Sequence, residues 1–153
     1  MTVRDLMTTP PQTCRQDSNT AAVTQLMWDH DCGFVPVVDD DGRVAGVVTD
    51  RDICVAASTR RLPPDRMAAS EAMSADVHAC LPDDPVRDAL ALMKKHQIHR
   101  VPVVDPYGRL QGVLSMNDIA RAVGTKGAPT AAAVVATLAG ICAPRRVKMA
   151  VAS

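Results

Sequence analysis

Two stretches of the chain alternate between apolar runs and turn residues in the same way. Phe34 to Ile53 reads FVPVVDDDGRVAGVVTDRDI, and Arg100 to Ile119 reads RVPVVDPYGRLQGVLSMNDI. In each, a short β-branched run meets turn-forming residues, Asp39 to Gly42 or Asp105 to Gly108, before a second apolar run begins. This order predicts strand, turn, strand. Pro36 and Pro102 have no N–H to give, so the first strand belongs at a sheet edge or beside something other than a regular ladder. Gly46 and Gly112 mark places in the second strand where another backbone or a ligand comes close. The strand ends at Thr49-Asp50-Arg51-Asp52 or Ser115-Met116-Asn117-Asp118, where a hydroxyl, two spacers and a carboxylate predict a capped helix start.

Upstream, Val23, Leu26, Met27 and His30 fall at helical spacing, as do Ala89, Leu92, Met93 and His96, so one helix face is buried in each case. Asp17-Ser18-Asn19 and Asp83-Asp84-Pro85 are the candidate caps, with Pro85 suited to the first turn. Gln12 to Arg15 and His78 to Leu81 are short candidate strands. Thr2 to Met7 predicts a one-turn helix that Pro10-Pro11 ends, and Ala69 to Met73 does the same in the second stretch.

All of these pairs share one offset. Pro36 recurs as Pro102, Asp52 as Asp118, Met7 as Met73, Cys14 as Cys80 and His30 as His96, each 66 positions later. A gapless duplication is one supersecondary unit used twice, and it predicts a pseudo-twofold body with two related clefts. The expected fold class is α+β, with each unit reading strand, helix, strand, strand, helix. Residues 1–62 and 63–127 are the expected units, joined through the linker Thr59 to Met67, and 128–153 is a helical tail. The tail's stripe of Val134, Leu138 and Ile141 predicts packing on the module or across a dimer. Its end, Arg145, Arg146 and Lys148, reads as a solvated basic patch.

Composition narrows the function. Trp28, Phe34 and Tyr107 are the only aromatic residues, so the core is aliphatic, and 17 basic side chains balance 17 acidic ones. That balance argues against a general nucleic-acid or anionic-membrane binder, which needs a basic surface. The longest apolar region, residues 128 to 143, is shorter than the roughly 20 residues needed to cross a bilayer. The opening residues lack the basic start and apolar run of a signal peptide, and the expected location is cytoplasmic. Five cysteines without CxxC spacing read as reduced, partly buried small hydrophobes rather than a disulfide or metal framework. His30 and His96 read as helix-end histidines meeting the negative end of the dipole. Thr49 and Ser115 admit two readings: ordinary N-caps, or part of a helix start that gathers free N–H groups and suits phosphate.

Hydrophobic-Pro-hydrophobic followed by Gly-x-x-(Thr or Ser)-x-x-Asp resembles the CBS-domain motif. Two in tandem over residues 2 to 125 resemble a CBS pair, or Bateman module, of the stand-alone bacterial hypoxic-response or stress type. The resemblance implies that Asp52 and Asp118 hold a ribose, that Thr49 and Ser115 hold a phosphate, and that a basic residue before the Val-Pro strand assists. His99-Arg100 fills that last place in the second copy and Gly33-Phe34 in the first. The cleft with Arg100, Ser115 and Asp118 is therefore expected to bind first, with Arg51 partly standing in for a guanidinium beside Thr49 and Asp52. The competing reading of Arg100 is a surface arginine paired with an acid such as Asp105. Val35, Val37, Val101 and Val103 are expected as apolar walls for an adenine.

No Walker loop or GxGxxG is present and no cysteine has a recognisable catalytic setting, so an enzyme is not expected, nor a metal or resident cofactor. The leading expectation is a regulatory module sensing an adenosine derivative: AMP, ADP, ATP or S-adenosylmethionine. The alternative is a ligand-free structural or protein-interaction module of a stress response. A homodimer is expected, with neither nucleic acid nor membrane as partner.

Overall fold

A computed structural model describes residues 1–144; the basic end at Arg145, Arg146 and Lys148 lies outside the described residues. After a 3-10 turn at Val3–Asp5, the first half runs β1 (Cys14–Arg15), α1 (Thr20–Asp29), β2 (Phe34–Val38), β3 (Val44–Thr49) and α2 (Asp50–Arg60). A 3-10 turn at Pro64–Arg66 and the short α3 (Ala69–Ala72) lead into α4 (Val86–His96), β4 (Arg100–Val104), β5 (Leu110–Ser115), α5 (Met116–Ala122) and α6 (Ala131–Ile141). The fold is α+β, as expected.

Both hairpins form where the apolar alternation predicts them. Phe34 faces Thr49 across β2 and β3, and Arg100 faces Ser115 across β4 and β5, with a register irregularity at Val37/Val38 and at Val103/Val104. The turns are built alike: Asp39 Oδ1 accepts from the Asp41 and Arg43 amides, Asp105 Oδ1 from those of Tyr107 and Arg109, and Gly42 and Gly108 supply the positive φ. The turns also meet. An antiparallel bridge joins Arg43 to Arg109, with Val44 N–H donating to Gly108 O and Leu110 N–H to Gly42 O, both at 3.0 Å. This bridge is the pseudo-twofold seam.

The prolines sit in strands whose second neighbour is scant. β1 pairs with β2 in parallel only at Val37 and Val38, beyond Pro36, and in the second half a single bridge, Cys80 to Val103, stands in its place. The two predicted short strands thus shrink to two residues and one. Pro85 occupies the N-cap of α4 instead of its first turn, while Asn19 caps α1 by accepting from the Ala22 amide.

The sequence repeats and the packed halves do not coincide. Val3, from the opening of the first copy, is buried among Cys80, Val86, Leu90, Val101 and Leu114, with Met1, Leu6 and Met7 packed on the same cluster. Conversely Met67 and Ala69 are buried with Cys14, Val23, Val35, Val48 and Ile53 in the first half's core. Each arm also pairs with the other half's second strand: Thr8 bridges Val113 and Ser74 bridges Val47. Gly46 and Gly112 are the crossing points. A Cβ on Gly112 would stand 2.9 Å from Thr8 O, and one on Gly46 2.9 Å from Ser74 O, so the close approach is to backbone.

α6 folds back on its own module. Val134 and Ile141 are buried in the second half's core, Leu138 packs against it, and Gln97 Nε2 donates to Ala143 O at 2.7 Å. The stripe is covered within the chain, so it no longer argues for a dimer. Among the described residues no helix is long and apolar enough to cross a membrane.

Candidate functional site

Each capping box forms as the S/T-x-x-D spacing predicts. Thr49 Oγ1 accepts from the Asp52 amide at 3.1 Å and donates to Asp52 Oδ2 at 2.7 Å, while Thr49 N–H donates to the same oxygen at 2.9 Å. Ser115 repeats this with Asp118: Oγ accepts from the amide at 3.2 Å and donates to Oδ2 at 2.5 Å, with Ser115 N–H at 2.9 Å. The strand therefore delivers a hydroxyl and a carboxylate, already locked together, to the start of a helix. One difference follows. Asp118 Oδ1 accepts from Arg121 Nη2 at 2.7 Å and its side chain is 9% exposed, whereas Val55 stands at the matching position near Asp52. Asp52 thus keeps its second oxygen without a partner among the described residues.

Two cavities open at these helix starts. The smaller, about 590 Å³, holds Ser115, Asp118 and Arg121 with Gln12, His30 and Cys32. The larger, about 870 Å³, holds Thr49, Arg51 and Asp52 with His78, His96 and His99. They are related by the repeat offset: Gln12 in one corresponds to His78 in the other, His30 to His96, and Asp118 to Asp52. Phe34 and Arg100, a matched pair themselves, line both cavities.

Three expectations are corrected here. Arg100 reaches both clefts, so the Thr49–Asp52 cleft does not lack a guanidinium. His99 lines the larger cavity and not the one with Ser115. Val35 and Val101 are 0% exposed in the two cores and line neither cavity, as are Val37 and Val103; strand alternation turns residues 34 and 100 to the clefts and their neighbours inward. Apolar wall positions fall to Phe34, Val47, Val55 and Ala56 in the larger cavity and to Phe34, Val113 and Ala120 in the smaller.

Charges of both signs line the larger cavity. Asp105 is engaged with its own turn, and among the described residues neither Arg100 nor Arg51 has a carboxylate within ion-pair distance. In the larger cavity Glu71 lies 3.6 Å from Arg60, and Asp76 3.6 Å from His78 Nε2. His78 and His96 are stacked, with ring centroids 3.5 Å apart and planes at 24°. Loss of solvent around its ring, with the neighbouring His78 and Lys95, holds His96 below the ordinary histidine range against the opposing pull of Asp76. Sequence reading placed His96 at a helix end, where it is the last residue of α4, but missed the stack; the offset pairing of Gln12 with His78 was the available signal.

The thiols are not a cluster. Cys14 and Cys80 are buried, which pushes them up to about 11 and about 12; Cys32 is half-buried, and Cys54 and Cys142 are exposed. Among the described residues no group of three His, Cys, Asp or Glu side chains is placed to hold a metal.

Comparison with known proteins agrees with this architecture. The CBS domain family matches residues 3–58 and 69–125. Hypoxic response protein 1 of Mycobacterium tuberculosis is 32% identical over 143 residues, covering 94% of this chain and 95% of that protein. CBS domain-containing protein YhcV of Bacillus subtilis is 35% identical, over 77% of this chain and 82% of its own length. Among solved structures, the CBS domain pair of protein MJ0100 in complex with 5′-methylthioadenosine and S-adenosyl-L-methionine is 29% identical, with a TM-score of 0.72 over 79% of this chain and 94% of that one. Hypoxic Response Protein I, solved with two coordinated zinc ions, is 33% identical, with a TM-score of 0.72 over 79% of this chain and 98% of that one. Two capped hairpins at a constant offset, joined at their turns and closed by each other's arms, belong to one family: the chain is a tandem pair of CBS domains.

Proposed function

We propose that this CBS pair is a ligand-sensing regulatory module that binds an adenosine derivative in the clefts between its motifs. The observation that carries the reading is Asp52, a helix-start carboxylate in the lining of a roomy cavity, with one oxygen fixed by its cap and the other without a partner among the described residues. A carboxylate oxygen so placed accepts from a ribose hydroxyl, Arg51 and Arg100 supply unpaired positive charge for a phosphate, and Phe34 offers a ring face to a base. The bound ligands of the MJ0100 pair support the class of ligand. The larger cavity is the leading site, because Asp118 already has Arg121 on its second oxygen.

Differential scanning fluorimetry with AMP, ADP, ATP, methylthioadenosine and S-adenosylmethionine tests this. A ligand at 100 times its Kd adds about 2.7 kcal/mol to stability, a readily measured rise in Tm. Asp52→Ala should abolish the rise for every ribose-bearing ligand, and Arg100→Ala should weaken phosphorylated ligands far more than adenosine. No rise with any of the five would refute the reading. A second reading, a protein-interaction role and a homodimer, is favoured by Trp28, which is 82% exposed on α1. Light scattering of wild type beside Trp28→Ser tests it, and a wild-type monomer would sink the dimer.

A further inference from the structure

The stacked histidines are a feature that the nucleotide reading does not use. We propose that His78 and His96 form the phosphate end of the larger cavity and select ligands by charge, so that a phosphorylated adenosine binds with uptake of a proton while an uncharged adenosine thioether does not. The inference rests on the reading that this cavity takes an adenosine derivative.

The ring centroids of His78 and His96 stand 3.5 Å apart. Two imidazolium ions face to face at that distance repel each other, so the stacked geometry opposes a second proton on the pair. An anion lodged against the pair reverses the balance: its charge pays for the second proton, and affinity becomes linked to pH. The pair lines the same cavity as Thr49, Asp52 and Arg100, so a ligand held at Asp52 by its ribose shares that cavity with these rings.

The surrounding charges fit this role. Lys94 and Lys95 precede His96 on α4, and His99 and Arg100 lie just beyond it. Asp76 lies 3.6 Å from His78 Nε2, and Arg51 with Asp50 and Asp52 comes from the start of α2. Glu71 is engaged with Arg60 and with the Ala68 amide. α6, packed on α4, brings no titratable side chain. The depressed affinity of His96 for its proton is what a stacked pair awaiting an anion requires.

The molecule contains its own control. In the smaller cavity Gln12 stands at the place of His78, opposite His30 at the place of His96, so that cavity has one imidazole and no stack. His78→Gln therefore installs in the larger cavity the residue that the fold already accommodates at the matching position.

Calorimetry on the full chain decides the matter, with AMP and methylthioadenosine titrated between pH 6 and pH 8 in buffers of different ionisation enthalpy. Uptake of one proton strengthens AMP binding about tenfold for each unit that pH falls through the working range. His78→Gln should flatten that slope, and methylthioadenosine should show none in either protein. The AMP phosphate's own titration is common to wild type and variant and cancels between them. Should the variant fold poorly, NMR of the wild type at pH 7 reads the same event: the ring protons of His78 and His96 should move toward their imidazolium positions when AMP is added. AMP binding with equal slopes in both proteins, or unmoved histidine signals in the AMP complex, overturns the histidine pair and leaves the nucleotide reading standing. Failure of both ligands at every pH overturns both.

Discussion

Gly112→Ala is the sharpest test of how the two halves are fastened. The added methyl would stand 2.9 Å from Thr8 O and 2.9 Å from Met7 Sδ. Met7 can swing its flexible thioether aside, but Thr8 O belongs to a bridge in which Thr8 N–H donates to Val113 O at 2.9 Å and Val113 N–H to Thr8 O at 3.1 Å. Relief needs a shift of a few tenths of an ångström in a segment that also anchors buried Val3. Overpacking of this kind costs about 1–3 kcal/mol. For a chain of this length that is a fall in Tm of about 2–12 °C by thermal denaturation. The mechanism predicts where the damage lies: amide exchange should accelerate at Thr8 and Val113, while Ser74 and Val47 keep their protection. Gly46→Ala should reverse the pattern, since its contact is with Ser74 O. A Gly112→Ala protein melting within a degree of wild type, or one whose added exchange is spread evenly, would refute the crossing-arm account.

Val3→Ala should destabilise by about 2 kcal/mol, because two buried methyls are lost from the second half's core; a change below about 0.5 kcal/mol in urea denaturation would mean the arm is not seated there. With an aromatic disulfide reagent at pH 8, Cys54 and Cys142 should react at once, and Cys14 and Cys80, pushed up to about 11 and about 12 by burial, only as the chain unfolds. Because His96 is held below the ordinary histidine value, the unfolded chain takes up its proton first as pH falls. Thermal stability without ligand should therefore drop as pH falls from about 6.5 through the folded value, and His96→Gln should shrink that drop.

The repeat made most of the frame legible. Turn aspartates, positive-φ glycines and capping boxes are local chemistry, so the residues at Asp39–Gly42 and Ser115–Asp118 announced their own conformations. The arm exchange left no such mark. Met7 and Met73 occupy equivalent places whether each arm packs on its own unit or on the other, so a perfect duplication is silent on the choice. The misplaced valines are a different case: alternation in the Phe34–Val38 strand already assigned Val35 and Val37 to one face, and the cleft had to take the other. The stack of His78 on His96 left no trace in the repeat itself, because the residue matching His78 in the first copy is Gln12, and that mismatch is one of those that set the two clefts apart.

The exchanged arms impose an order on biosynthesis. As the chain leaves the ribosome, the first half has its helices and hairpin but not the cover of its own core, which arrives only with Met67 to Ser74. The second half has the opposite history, since the arm at residues 1 to 8 is made before the hairpin it covers, which ends at Ser115. That arm must return over a long stretch of chain, to a contact between residues as far apart as Thr8 and Val113. Closing so long a loop costs little more in free energy than closing a shorter one, but it is slow and leaves Gly112's strand uncovered meanwhile. A chain cut after synthesis in the linker between Arg61 and Arg66 would remain one body, because each piece ends inside the other.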